Sequence, residues 1–188
     1  MHSPSNPTTA NTRIVILGGG FAGLYSALHF EKTIAADPTV EVTLVSRENF
    51  VLFTPMLHEV AAGDLDPSDI VCPLRPLLKR VRFLQADVDN IDVEAREVAL
   101  AYGIHGERKV LTYDQLIIAL GSDTNYFKLP GVAERALTMK SLGDAFILRN
   151  QALGMLEMAS LTGNAFARRA MLTFVVASGG FAGVETVG

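Results

Sequence analysis

Arg13-Ile-Val-Ile-Leu-Gly-Gly-Gly-Phe-Ala-Gly23 is the stretch from which the fold can be read. Ile14 to Leu17 form a short apolar run rich in β-branched residues, and three glycines follow at once. A strand buried on both faces and entering a tight turn reads this way. Gly18, Gly20 and Gly23 have the spacing GxGxxG. In that spacing the first glycine permits the turn and the second lets the backbone approach a pyrophosphate. The third lets the following helix pack close to the strand. A helix start adds backbone N–H groups and the positive end of its dipole, which suit phosphate. Many turns share the spacing, so its weight comes from what flanks it.

On the C-terminal side the pattern becomes helical from Ala22. Leu24, Leu28, Phe30 and Ile34 can share an apolar side, and the helix is expected to end near Asp37-Pro38. Val40 to Val45, VEVTLV, reads as a second strand. Strand, helix and strand in this order make a βαβ unit, right-handed by default. The dinucleotide pattern expects an acidic residue at the end of that second strand, for the ribose hydroxyls. Ser46 stands there instead, followed by Arg47 and Glu48. Ser46 can make one hydrogen bond, Glu48 is an alternative partner for the ribose, and Arg47 could stack on adenine or favour a 2′-phosphate.

Farther along, residues 49–73 read as irregular but packed, punctuated by Pro55, Gly63, Pro67 and Pro73. Val81–Ala86 is expected as a third strand. Val88–Ile91, Val98–Tyr102 and Arg108–Thr112 are expected as a small antiparallel sheet, and Leu116–Leu120 as a buried strand closed by Gly121. Ser141, with Asp144 three residues on, signals a capped helix. It should run through Phe146, Leu148, Leu153, Leu156 and Leu161 and stop near Gly163-Asn164. After Arg168-Arg169, a strand is expected over Met171–Ala177. It leads into Ser178-Gly-Gly-Phe-Ala-Gly183, which repeats the GFAG of the first turn. Ser178 takes the place of the first glycine, and serine does not readily adopt a positive φ.

Composition narrows the chemistry. The 188 residues are 49% hydrophobic and 19% charged, which suits a buried core. A net charge of −4 without a basic stripe argues against nucleic acid as a partner. Lys79, Arg80 and Arg82 form the one basic cluster and read as a solvated helix end. The single cysteine, Cys72, excludes an intramolecular disulfide, a CxxC pair and a cysteine-rich zinc site. His58-Glu59 begins a metalloprotease-like pattern, but Ala62 stands where the second ligand belongs, and no metal site is expected. Met1–Thr12 reads as a flexible leader without a signal pattern. A cytoplasmic protein, soluble or membrane-peripheral, is therefore expected.

Four motifs together resemble the type II NADH:quinone dehydrogenases of the pyridine nucleotide–disulfide oxidoreductase superfamily. They are GGGFAGL, the stretch Arg47-Glu-Asn-Phe-Val-Leu-Phe-Thr-Pro-Met-Leu57, Tyr113-Asp-Gln-Leu-Ile-Ile-Ala-Leu-Gly121, and GGFAGVE. The resemblance implies FAD as cofactor, NADH as hydride donor and a quinone as acceptor at a membrane surface. It implies that Gly18, Gly20 and Gly23 hold the FAD pyrophosphate, with Ser46 and Arg47 beside the adenosine. Thr54 and Pro55 would lie near the flavin ring, Val88 would meet the adenine through its backbone, and Ala119 and Gly121 would approach the cofactor. Gly180 and Gly183 would bind NADH, and Glu185 would stand near the nicotinamide as the catalytic candidate. A disulfide-reductase or sulfide:quinone reductase reading is disfavoured, because those branches need several cysteines.

The implied architecture is α/β: a Rossmann-like, three-layer FAD-binding domain with a small antiparallel sheet, followed by the first strand and glycine turn of a second Rossmann unit. Residues 13–165 would form an incomplete FAD-binding domain and residues 166–188 the truncated start of an NAD(H)-binding domain. Three alternatives stay open beside the NADH:quinone dehydrogenase. They are an FAD-binding module without turnover, half of a split enzyme completed by a second chain, and a quinone-independent NAD(P)H:flavin oxidoreductase.

Overall fold

The structure, a computed structural model, describes residues 12–188. The expected leader lies outside the described residues, except for Thr12, which opens the first strand. The chain packs as two compact units. One runs through Val51 and resumes over Cys72–Ser122; the other comprises Leu52–Val71 and Asp123–Gly188.

The first unit is built on a four-stranded parallel sheet. Its strands are β1 (Thr12–Leu17), β2 (Val40–Ser46), β5 (Arg82–Gln85) and β9 (Gln115–Ile118), in the spatial order β5-β2-β1-β9. Helix α1 (Phe21–Lys32) connects β1 to β2. Period-two alternation sends the side chains of β1 to two different cores. Ile14 and Ile16 join Val42 and Leu44 against Leu24 and Ala27 of α1. Val15 and Leu17 join Val45 on the opposite face, against Val98, Leu100 and Tyr113. This second face is covered by an antiparallel meander of β6 (Asp87–Asp92), β7 (Glu97–Tyr102) and β8 (Glu107–Thr112). Helix, parallel sheet and antiparallel sheet are the three expected layers. Burial on both faces explains why β1 and β2 read as nearly continuous apolar runs.

Several expectations shift by a few residues. Helix α1 ends at Lys32, and Ile34 falls in a separate 3-10 turn, Ile34–Ala36, where it is exposed. Strand β9 stops at Ile118 rather than continuing to Leu120. Residues 49–73 are less irregular than expected. They contain the short strands β3 (Phe50–Leu52) and β4 (Val71–Pro73) and the helix α2 (Leu57–Ala62), which ends in a left-handed Gly63.

The second unit is helical, with α2 followed by α3 (Leu142–Leu161), α4 (Ala165–Met171) and α5 (Phe181–Val187). Leu57, Val60, Ile70 and Ala145 form its core. Ser141 caps α3 through the Asp144 N–H, and the Asp144 carboxylate accepts from the Ser141 N–H, the reciprocal cap read from the sequence. The packed stripe of α3 is Ala145, Leu148, Ala152, Met155 and Ala159, whereas Phe146, Leu153, Leu156 and Leu161 are exposed. Small residues allow close helix contact, so the packed face is not the one bearing the largest side chains. The strand expected over Met171–Ala177 is not formed. Met171 ends α4, Arg168 and Arg169 lie within that helix, and 173–179 pair with no strand among the described residues. A strand is defined by its ladder, and no described residue offers these a partner for one. Among the described residues no helix is long and apolar enough to cross a membrane.

One buried carboxylate ties the first unit together. Glu31, on the inner side of α1, accepts from the Arg80 N–H at 2.8 and 3.0 Å and from the Val81 N–H at 2.8 Å. Burial pushes its pKa up. The N–H groups of Val81, Arg80 and Lys79 and the Arg80 charge outweigh that and hold it below the ordinary glutamate value. A depressed folded-state pKa contributes stability above the unfolded value and loses it as pH falls through the folded one. Glu31→Ala should therefore cost about 1–3 kcal/mol near neutrality, since two backbone donors lose their partner. The difference from wild type should shrink as the pH is lowered towards about 3. Urea unfolding of both proteins across that range checks this.

Candidate dinucleotide-binding site

The order β5-β2-β1-β9 places a topological switch between β1 and β9, because the chain moves outward from β1 in both directions. In open parallel sheets the crevice at the carboxyl ends of such strands is where ligands bind. The first glycine turn lies there. Gly18 N–H donates to the Val45 carbonyl at 2.8 Å, and Ala119 N–H donates to the Leu17 carbonyl at 2.7 Å. The turn is thus fixed from both neighbouring strands.

Each glycine of the turn meets a different demand. Gly18 has φ of 104°, and a Cβ there would overlap the Ala119 carbonyl oxygen. Gly23 is buried, and a Cβ there would overlap the Gly18 carbonyl oxygen, so the first turn of α1 lies directly on the end of β1. Gly20 is exposed, and nothing lies within 4 Å of where its Cβ would stand. The first and third glycines are required by the fold. The second leaves an open approach at the helix start, which the fold itself does not need.

The N-terminus of α1 is kept suitable for an anion. Gly20 is its N-cap, no side chain caps it, and its first turn carries no acidic residue. Leu24 N–H makes the first helical bond to the Gly20 carbonyl at 2.9 Å. The positive end of the helix dipole therefore has no carboxylate of its own to neutralise it. These features fit a pyrophosphate.

Ser46 and Ala119 lie against this turn, and Arg47, Val88 and Gly121 belong to the same unit. Ser46 ends β2 and is buried, and a Cβ on Gly19 would stand 2.6 Å from its hydroxyl. The side chain thus supports the floor of the turn. Arg47 is exposed, and its carbonyl accepts from the Gln85 side chain at 3.1 Å. Arg47 also lines an open cleft of about 430 Å³ with Gln85, Ala86, Asp87, Tyr102 and Ile104. Val88 is half-buried beside the second core, at a break in the β6–β7 register. Ala119 follows β9 beneath Gly18, and Gly121 takes φ of 80°.

The remaining site residues belong to the second unit. Thr54 and Pro55 open an exposed 3-10 turn just before α2. Gly180 is the N-cap of α5, and Gly183 is buried against Ser178. Ser178 does not take a positive φ, so the second turn lacks the left-handed residue that opens the first. The carboxylate of Glu185 lies 3.7 Å from the His58 imidazole.

Sequence reading missed Glu31, the Arg13–Asp114 pair and the hairpin residues Tyr102 and Ile104 beside Arg47. Asp114 accepts from the Arg13 N–H at 2.7 Å and returns its own N–H to the Arg13 carbonyl at 2.8 Å, fixing β9 to β1 at the end away from the turn. Hydrogen bonds from the Arg13 side chain and backbone hold the Asp114 pKa below the ordinary aspartate value. A signal for Glu31 was present: Leu24, Ala27 and Glu31 have helical spacing, so a carboxylate lies on the buried stripe.

The fold and the turn define a Rossmann-type dinucleotide-binding protein. The chain belongs to the pyridine nucleotide-disulphide oxidoreductase family, whose model matches residues 12–187. The type II NADH:quinone oxidoreductase NdhA of Mycobacterium tuberculosis is 38% identical over 179 residues, covering 94% of this chain and 37% of that protein. The mitochondrial external alternative NAD(P)H-ubiquinone oxidoreductase B3 of Arabidopsis thaliana is 33% identical over 204 residues, covering 98% of this chain and 34% of that protein. The solved structure of NDH2 from Plasmodium falciparum superposes with a TM-score of 0.81 at 30% identity, covering 94% of this chain and 36% of that one. The chain spans little more than a third of the length of these relatives.

The glycine geometry separates fold from binding. Gly18→Ala and Gly23→Ala should each destabilise the first unit by about 2 kcal/mol or more, through a strained φ or a steric overlap. Gly20→Ala should leave stability within about 1 kcal/mol of wild type, because its φ of −73° suits alanine and the space is open. Parallel thermal and urea unfolding of the three variants checks this contrast.

Proposed function

We propose that this chain forms the FAD-binding portion, and opens the NAD(H)-binding portion, of an NADH:quinone oxidoreductase. The observation that carries the reading is the division of labour at Gly18, Gly20 and Gly23. Two of these glycines are demanded by packing, and the third is open at an uncapped helix start. The names of the M. tuberculosis and A. thaliana relatives supply NADH or NAD(P)H as donor and a quinone as acceptor.

In this reading residues 13–165 hold FAD and residues 166–188 begin the NAD(H) site. The N–H groups at the start of α1 hold the pyrophosphate, and Ser46 keeps the turn in place from below. Arg47 and the backbone at Val88 border the adenosine, and Ala119 and Gly121 shape the strand end. Thr54 and Pro55 border the flavin ring, and Gly180, Gly183 and Glu185 receive the nicotinamide nucleotide. When bound, FAD supplies redox chemistry that no side chain offers, accepting a hydride from NADH and passing electrons to a quinone. A quinone dissolved in lipid brings the enzyme to a membrane surface.

Titration of the purified chain with FAD, followed by flavin fluorescence, tests the cofactor part of the proposal. Saturable binding at one FAD per chain is expected. Gly20→Ala should weaken it by about tenfold or more without loss of stability, because the added methyl stands where the pyrophosphate approaches. Equal FAD affinity in wild type and Gly20→Ala would contradict the assignment of the turn.

A further inference from the structure

In the second unit His58 has no part in the proposed chemistry, although it stands beside Glu185. His58 lies on α2 with its imidazole between two carboxylates. Its Nε2 is 3.6 Å from Oε1 of Glu59, the next residue on the same helix. Its Nδ1 is 3.7 Å from Oε2 of Glu185 on α5. Each ring nitrogen thus faces a carboxylate oxygen. The His58 side chain is 22% exposed, whereas the Glu185 side chain is 44% exposed and remains open to a ligand.

The supports of the two partners differ. Helix α2 is held by Leu57 and Val60, both in the core with Ile70 and Ala145. At its C-terminal end Gly63 leaves room for the Arg149 guanidinium of α3. Helix α5 has only seven residues, no side-chain cap and, of these residues, only Gly183 buried. His58 is therefore a fixed point on a packed helix, and Glu185 rides on a short helix with little packing of its own. The contact therefore restrains Glu185 more than it restrains His58.

We propose that His58 is a positioning residue for Glu185, aiming its carboxylate at the donor groups of a bound nicotinamide nucleotide. The inference rests on the reading of Gly180, Gly183 and Glu185 as a nucleotide site and adds to it a residue from a distant part of the chain. A nicotinamide nucleotide offers ribose hydroxyls and carboxamide N–H groups, all donors that a carboxylate can accept. A carboxylate held in one direction loses less conformational freedom on binding than a free one. His58 touches neither the ligand nor the reacting atoms in this account; it acts through Glu185.

The test is a double-mutant cycle on the full chain with NADH as the probe, read by the change in NADH fluorescence on binding. His58→Gln should weaken NADH binding about three- to tenfold in the wild-type background and have little effect in the Glu185→Gln background. Melting temperatures of all four proteins should agree closely, which separates positioning from general support. Additive losses, or no loss in His58→Gln, would overturn the proposal while leaving the nucleotide site intact. Absence of NADH binding by the wild type would overturn it by removing the nucleotide reading beneath it. The contact itself has a separate readout: Glu185→Gln should move the ring-proton resonances of His58, and unchanged resonances would count against the pairing.

Discussion

The close approach of backbone to backbone at the carboxyl ends of β1 and β9 is the constraint on which the first unit depends. Gly18 crosses over the Ala119 carbonyl, and the first turn of α1 rests on the Gly18 carbonyl through Gly23. Neither contact tolerates a Cβ, so two glycines are consumed by packing before any ligand is considered. The result brings the start of α1, which carries no side-chain cap and no acidic residue in its first turn, to the switch point of the sheet. Pyrophosphate binding is then a property of where the helix begins, and little further side-chain chemistry is needed.

The rest of the first unit keeps that arrangement rigid. Asp114 joins β9 to β1 at the end opposite the turn, and Glu31 joins α1 to the residues leading into β5. Both carboxylates accept from backbone N–H groups; these hold the Glu31 pKa down against its burial, whereas for Asp114 the Arg13 side chain lowers the pKa first and the Arg13 N–H second. Such contacts fix the position of a strand or helix end, whereas apolar packing fixes mainly which face is inward. The alternating cores on the two sides of β1 supply the latter.

Much of this was legible in the sequence where the governing physics is local. The β1 run, the glycine turn, the VEVTLV strand after it and the Ser141–Asp144 cap each carry their signal within a few residues. Non-local physics was harder to read. The stripe Ala145, Leu148, Ala152, Met155, Ala159 was hidden because large apolar side chains elsewhere on α3 gave the stronger signal. Met171–Ala177 has strand composition, but a strand exists only when a partner offers a ladder, and composition cannot show the partner. Ser46 was read as a ligand contact from its place at the end of β2, and the packing adds a role beneath Gly19. The pairing of His58 with Glu185 spans most of the chain, and nothing near either residue announces it.

The most direct test of the central claim is to locate FAD on the chain by backbone amide NMR. On addition of FAD, the largest shifts should fall on Gly18 to Gly23 and on Ala119 to Gly121, with smaller ones at Arg47 and Val88. The amides of β6, β7 and β8 remote from Val88 should remain in place. Shifts concentrated elsewhere, with the residues of the turn unmoved at saturation, would contradict the account and assign the glycine turn a purely structural role.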